Sequence, residues 1–139
     1  MSAQARLASI RNGETAVPLY ELLGLTVVDF SSGGVKLKLT PSRSHASPYG
    51  TVAGGIIASS LDTAAAWAGD LQCPDGSFCT TIDINVNFLR PLAVTDCEVE
   101  ITATPIHSGS RIIVSEARMA RADGKLVAVA TATLAILQG

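Results

Sequence analysis

The stretch that decides the fold is SPYGTVAGGIIASSLDTAAAWAG, from Ser47 to Gly69. It opens with turn-forming residues and becomes apolar and rich in small residues from the Gly54-Gly55 pair onward. Its helical spacing gives an apolar stripe that needs a core: Ile57, Leu61, Ala64, Ala65 and Ala68. The other face carries residues no larger than Ser and a single acid, Asp62. The stretch therefore predicts a central helix that carries a functional carboxylate.

The composition limits the classes of protein. The 139 residues fit one domain, with a polar N-terminal extension at residues 1–16. Charged residues make up only 16% of the chain, below the roughly 25% typical of soluble domains. No apolar run approaches the ~20 residues that a membrane span needs. We therefore expect part of the surface to be covered by other subunits, and no membrane partner.

Charge and cysteine content exclude further classes. The net charge is −2 and the Lys and Arg residues are scattered, so no nucleic-acid partner is expected. The N-terminus lacks the apolar core of a signal peptide. Cys73, Cys79 and Cys97 are an odd number without metal-binding spacing. These features predict reduced thiols in a cytoplasmic protein, with no metal and no cofactor.

The remaining patterns predict mostly strands. Residues 1–16 are either frayed or a short helix, and Pro18 to Leu23 forms one or two helical turns. Alternation predicts a hairpin from Leu25–Phe30 and Val35–Leu39, before the helix of Gly54–Gly69. Four strands then follow as a meander, at Thr81–Phe88, Cys97–Ala103, Arg111–Arg121 and Leu126–Leu137.

The strand after the helix has the clearest alternation. Its apolar face is predicted to contain Ile82, Ile84, Val86 and Phe88. Thr81 falls on the opposite, polar face. A single helix among strands is best buried when an antiparallel sheet curls around it, which makes the chain an α+β protein. In that arrangement Asp62 points away from its own sheet, toward a neighbouring subunit.

The residues resemble those of hot-dog-fold acyl-CoA thioesterases, of the phenylacetate-pathway and 4-hydroxybenzoyl-CoA types. The family pattern is approximately Asn-x-x-Gly-x-x-His-Gly-Gly, followed by apolar residues and an acid. Here it reads SPYGTVAGGIIASSLD, from Ser47 to Asp62. The segments TIDINVNFLRP (81–91), SGSR (108–111) and DGKLVA (123–128) resemble the later strands. Two positions depart from the pattern, because Ser47 replaces the Asn and Ala53 replaces the His.

The resemblance implies hydrolysis of acyl-CoA at a site shared by two subunits. The free N–H of Gly54 at the helix start would stabilise an oxyanion, and Asp62 would attack the carbonyl or activate water. Thr81 would help to hold the water and would come from the other subunit. Substrate contacts are implied at Ser47, Gly50 and Gly55, and CoA contacts at Arg90, Ser110 and Arg111. The partners are the acyl-CoA substrate and a second copy of the chain, in a homodimer that pairs into a homotetramer.

Other interpretations remain open at this level. Asp62 can be a structural acid that accepts hydrogen bonds from a neighbouring loop. A hydratase or dehydratase would need a His beside the acid, and with Ala53 at the family position His45 would have to move in. The departures at Ser47 and Ala53 also fit a non-catalytic protein that binds acyl-CoA or another small ligand.

Overall fold

A six-stranded antiparallel sheet packs on one long helix in the computed structural model, which describes residues 1–138. This is the α+β, hot-dog architecture that the sequence predicts. The final residue of the predicted domain, residue 139, lies outside the described part. The elements in chain order are α1 (Ala3–Arg11), α2 (Pro18–Leu23), β1 (Leu25–Ser31), β2 (Gly34–Leu39), α3 (Gly54–Asp70), β3 (Ser77–Phe88), β4 (Val99–Ser108), β5 (Ile112–Ala120) and β6 (Leu126–Gln138).

The order of the strands is β1-β2-β4-β5-β6-β3, so β3 is an edge strand that pairs with β6. The prediction of a four-strand meander is therefore wrong for β3, although β4, β5 and β6 do follow one another. The cause lies in residues 89–98, which do not form a tight turn. Leu92 in this segment is fully buried, and its carbonyl accepts a hydrogen bond from Val52 N–H at 2.7 Å. The chain thus runs past the start of α3 and enters the sheet beside β2.

The predicted apolar stripe of α3 forms the centre of the core. Its five residues are all buried, with exposed fractions between 0% and 4%. Three of the five are Ala, whose small size lets the helix lie close to the inner faces of the strands. The predicted helix is confirmed at both ends, since α3 begins at Gly54 and ends at Asp70.

The N-terminal residues are held against this core. Of the two alternatives for residues 1–16, the structure shows the short helix, α1, with Leu7 fully buried. The guanidinium of Arg11 lies 4.8 Å from the ring centroid of Phe30, a cation–π contact. Farther along, Trp67 Nε1 donates to the Tyr20 hydroxyl at 2.8 Å and so joins α3 to α2. None of the helices within residues 1–138 is both long and apolar enough to cross a membrane.

A β-bulge in β3 changes which residues face the helix. Thr81 pairs with Leu134 and Asp83 pairs with Thr133, so Ile82 is an extra residue. Ile82 is 58% exposed, which corrects its predicted place on the apolar face. The bulge also puts Thr81 on the helix side, opposite to the prediction, while Ile84 still packs on the core.

The C-terminal end of α3 is bound tightly to the sheet. Asp70 Oδ1 accepts a hydrogen bond from the Cys79 N–H of β3 at 2.6 Å, and burial raises the pKa of this carboxyl group. Beside it, a Cβ atom on Gly69 would lie 2.6 Å from Leu134 Cδ1 and 3.2 Å from Cys79 Sγ. The helix approaches β3 and β6 so closely that position 69 has no room for a side chain.

We expect Gly69→Ala to lower the free energy of unfolding by about 1–2 kcal/mol, because Leu134 is fully buried and must shift. Denaturant unfolding measures the change. The matched control is Gly55→Ala in the same helix, where an added Cβ meets nothing within 4 Å. There we expect an unchanged value or a gain of up to about 1 kcal/mol. Equal effects of the two substitutions would contradict the close packing at Gly69.

Candidate active site

The carboxylate of Asp62 is held by a hydroxyl of the same chain. Thr81 Oγ1 donates to Asp62 Oδ1 at 2.7 Å, and both residues are half-buried. This contact joins the small-residue face of α3 to the edge strand β3. It corrects the expectation that Asp62 points away from its own sheet, and it shows that Thr81 of the same chain contacts the acid. The bulge at Ile82 is the physical reason, because it turns Thr81 toward the helix.

The start of α3 is open. Gly54 and Gly55 are exposed, and no side chain caps the helix at Ala53. The first N–H groups of an α-helix have no acceptor within the helix. Among residues 1–138, no other group accepts from the N–H of Gly54 or Gly55 either. Two backbone donors, with the positive end of the helix dipole behind them, therefore face outward at this point.

A cavity of about 300 Å³ lies beside this helix start. Gly54, Ile57, Phe88 and Arg90 are among its lining residues. A Cβ atom on Gly54 would lie 3.4 Å from the ring of Phe88, so the aromatic side chain lies beside the glycine. The sequence predicts Phe88 on the apolar face of its strand, but the side chain is 54% exposed and lies at this cavity instead of in the core. Phe88 comes directly before Leu89-Arg90-Pro91, where the strand ends, and this position is the sequence feature that indicates a place at the cavity.

The loop before α3 holds the residues that the resemblance implies for substrate contact. Ser47 N–H donates to the Thr51 carbonyl at 2.7 Å, and Gly50 N–H donates to the Ser47 carbonyl at 3.1 Å. Gly50 has a φ of 80°, which a glycine adopts without strain. The Ser47 hydroxyl lies 3.0 Å from Thr51 Oγ1 and accepts from Tyr49 N–H at 3.3 Å. Within this chain Ser47 and Gly50 thus shape a turn, and the Ser47 side chain is engaged there.

The residues implied for CoA lie at two different ends of α3. Arg90 is at the N-terminal end, beside Gly54, and its Nη1 donates to the Leu126 carbonyl at 2.9 Å. Ser110 and Arg111 are exposed in the turn between β4 and β5. That turn is near the C-terminal end of α3, where Ser108 Oγ lies 3.5 Å from Gln72 Oε1. One chain therefore does not bring the three residues together.

Gly54 and Asp62 are also separated within one chain. An α-helix rises about 1.5 Å per residue, which puts these two positions about 12 Å apart along its axis. A carbonyl oxygen bound at the Gly54 N–H is therefore out of reach of the Asp62 carboxylate of the same helix. Either the two groups act on different atoms or they belong to different chains in a working site.

His45 is fixed away from the acid. It is 3% exposed, and both ring nitrogens are hydrogen-bonded. Nδ1 accepts from the Ser42 N–H at 3.2 Å, and Nε2 donates to the Leu22 carbonyl at 3.0 Å. Its own carbonyl accepts from Ala53 N–H at 2.8 Å, directly before α3. His45 anchors the loop that leads into the helix, which argues against the hydratase interpretation that needs it to move.

Comparisons with known proteins agree on one family. The model of the thioesterase superfamily matches residues 49–128, which include Gly54, Asp62 and Thr81. A candidate esterase of Halobacterium salinarum is 32% identical over 119 residues, which is 80% of this chain and 79% of that protein.

Solved structures agree with this match. A thioesterase of Haemophilus influenzae superposes with a TM-score of 0.85 at 25% identity, covering 95% of this chain and 90% of that chain. A candidate thioesterase of Ralstonia eutropha, described as related to phenylacetic acid degradation, has a TM-score of 0.82 at 27% identity. The alignment covers 93% of this chain and 98% of that one.

We expect His45→Ala to lower the free energy of unfolding by about 2–4 kcal/mol, because it leaves a cavity and two unpaired backbone groups. Thermal and denaturant unfolding measure the loss. The exposed His107 provides the control, since His107→Ala should change the value by less than about 0.5 kcal/mol. A His45 variant as stable as the native chain would show that the ring is not an anchor.

Proposed function

The chain belongs to the thioesterase superfamily of thioester hydrolases, and we propose that it hydrolyses acyl-CoA thioesters to a free acid and CoA. The observation that carries the proposal is the Asp62 carboxylate, held by Thr81 on the small-residue face of a helix with an open start. A buried structural acid would have its oxygens filled by donors. Within residues 1–138, Asp62 Oδ2 accepts no hydrogen bond, so one oxygen is free for chemistry.

Asp62 acts on the thioester in one of two ways. It attacks the carbonyl carbon as a nucleophile, or it takes a proton from a water that attacks. In both cases the hydrogen bond from Thr81 fixes the rotamer of the carboxylate and leaves Oδ2 directed at the reacting atoms. The small neighbours of Asp62 on α3 leave room for a substrate at this face.

The helix start supplies the second element of the reaction. As the carbonyl carbon becomes tetrahedral, its oxygen gains negative charge. The N–H of Gly54 stabilises that charge, with the helix dipole behind it. A glycine at this position exposes the N–H fully, and Gly55 offers a second donor. The adjacent cavity beside Phe88 accommodates part of the substrate.

We infer that the complete site needs two chains. For Gly54 and Asp62 to act on the same carbonyl group despite their separation of about 12 Å along α3, they must come from different subunits. The edge strand β3 is the surface that can join them. Two apolar side chains of this strand are exposed, Ile82 by 58% and Phe88 by 54%, and the backbone groups along its free edge have no partner strand within residues 1–138.

We propose a two-fold dimer through β3, which would bring Gly54 of one chain next to the acid of the other. Two copies of one strand related by a two-fold axis pair antiparallel, and the two α3 helices beside them then run in opposite directions. The start of one helix lies next to the second half of the other. Gly54 of one chain therefore faces Asp62 of the partner subunit, with each dimer containing two equivalent sites.

The same pairing joins the proposed CoA contacts. The turn with Ser110 and Arg111 lies at the C-terminal end of its own α3, and in the dimer that end approaches the Arg90 of the other chain. Two Arg residues and a hydroxyl suit the phosphates of CoA, because guanidinium groups form strong charge-assisted hydrogen bonds to them. Ser47, Gly50 and Gly55 remain proposed substrate contacts at the helix start.

We further propose a homotetramer and a cytoplasmic location. Leu19, Leu22 and Tyr49 are exposed by 50%, 66% and 90%, and none of them belongs to β3. We propose that dimers pair through these exposed apolar side chains into a homotetramer, and sedimentation measures the mass of the assembly. The three free cysteines fit the reducing cytoplasm expected from the sequence.

We expect Asp62→Asn to lower kcat/KM for acyl-CoA hydrolysis by about 10²–10⁴-fold, because an amide is neither a base nor an effective nucleophile. A thiol-release assay over aromatic, short and long acyl-CoA esters measures it. Asp29→Asn, an exposed acid on the opposite edge strand β1, is the matched control and should leave the rate unchanged. Undiminished hydrolysis by the Asp62 variant would reject the assignment.

The thiol-release assay, read beside a measurement of acyl-CoA binding, distinguishes hydrolysis from binding without reaction. If the native protein binds acyl-CoA tightly and releases no thiol, the non-catalytic alternative holds and the proposed reaction is wrong. Melting temperatures of both variants, compared with the native protein, show whether a lost activity reflects chemistry or unfolding.

A further inference from the structure

Two thiols meet at the end of α3 that is remote from Gly54. Cys73 Sγ lies 3.1 Å from Cys79 Sγ, with both cysteines reduced and partly buried. Disulfide sulfurs are about 2.0 Å apart, so the two atoms need to approach by only ~1 Å to bond. The carboxylate of Asp70 lies beside them, within 4.8 Å of both sulfurs.

The two cysteines lie in different kinds of structure. Cys73 lies in the segment between α3 and β3, residues 71–76, where Pro74, Asp75 and Gly76 are all exposed. Cys79 belongs to β3, its N–H is bound to Asp70 at 2.6 Å, and its side chain packs against Gly69. Bond formation therefore requires an approach of about 1 Å, on the side of a connecting segment in which the Cys73 N–H donates to the Asp70 carbonyl at 3.0 Å.

The surroundings also decide which thiol reacts first. Burial raises the pKa of both thiols, and the contacts with Cys73 and Asp70 raise that of Cys79 further. The thiolate is the reactive form, so Cys73 in the exposed segment is the entry point. Cys97 is exposed but lies in the segment before β4, beside Lys38 and Glu98, and takes no part in this cluster.

We propose that Cys73 and Cys79 form a dithiol site that a low-molecular-weight disulfide oxidises to an internal disulfide bond. The Cys73 thiolate attacks one sulfur of the oxidant, forms a mixed disulfide and releases one thiolate. Cys79, as its thiolate, then attacks Cys73 Sγ, forms the Sγ–Sγ bond and releases the second thiolate. The protein loses two electrons and two protons, and the oxidant becomes two thiols.

The bond has a structural consequence. Cys79 lies two residues before Thr81, whose hydroxyl holds Asp62. The disulfide ties the α3–β3 connection to the start of β3, so it restricts local opening of the helix–strand junction on which that contact depends. This inference does not rest on the proposed reaction, and its test needs no substrate.

The test uses a Cys97→Ser chain, folded and treated with oxidised glutathione. We expect both remaining thiols to disappear without cross-linking between chains. The intact chain should lose the mass of two hydrogen atoms, and a reductant should restore both thiols. Two persistent thiols, glutathione adducts alone or disulfides between chains would each overturn the proposal.

Two further variants in the Cys97→Ser background test the order of attack. Cys79→Ser should accumulate one glutathione adduct on Cys73, because no second thiol resolves it. Cys73→Ser should remain unmodified on the same timescale. Adduct formation only on Cys79 would overturn the role of Cys73 as the entry point. If either variant fails to fold, the measurement on the Cys97→Ser chain decides the proposal alone.

Discussion

The hydrogen bond from Thr81 to Asp62 depends on a single extra residue in β3. Without the bulge at Ile82, strict alternation would put either Thr81 or Ile84 on the wrong side of the strand. With it, Thr81 reaches the acid on the helix while Ile84 still packs on the core. One strand thus has both a hydrophobic inner face and a polar contact that orients a carboxylate.

The elements were predictable where the signal is local. The spacing of Ile57, Leu61 and the Ala residues predicts α3 to within a residue, and Asp123-Gly124 predicts the β5–β6 hairpin. The bulge has no local signal, since Thr-Thr-Ile-Asp contains no Gly or Pro. The place of β3 at the sheet edge was also missed, because it follows from the path of residues 89–98, where Leu92 is buried beside the start of α3, and this is a long-range property.

In the candidate site, too, local patterns were predictable and long-range contacts were not. Gly54 and Asp62 stand out in sequence because small residues surround one acid and one helix start. Thr81 was found through the family resemblance, but its contact with Asp62 of the same chain was not foreseen. The scatter of Arg90, Ser110 and Arg111 over both ends of α3 appears only in the structure. Together with the length of the helix, it is the basis for proposing a site that two chains share through the free edge of β3.

The most direct test of this account mixes two inactive variants. Gly54→Pro removes the N–H at the first helical position, where proline is tolerated, and the extended conformation of Ala53 (φ −61°, ψ 142°) suits a following proline. Asp62→Asn removes the acid. If each site takes Gly54 from one chain and Asp62 from its partner, refolding the two variants together restores one intact site per mixed dimer, or about a quarter of the native activity. Activity no higher than that of the separate variants would contradict a site shared between subunits.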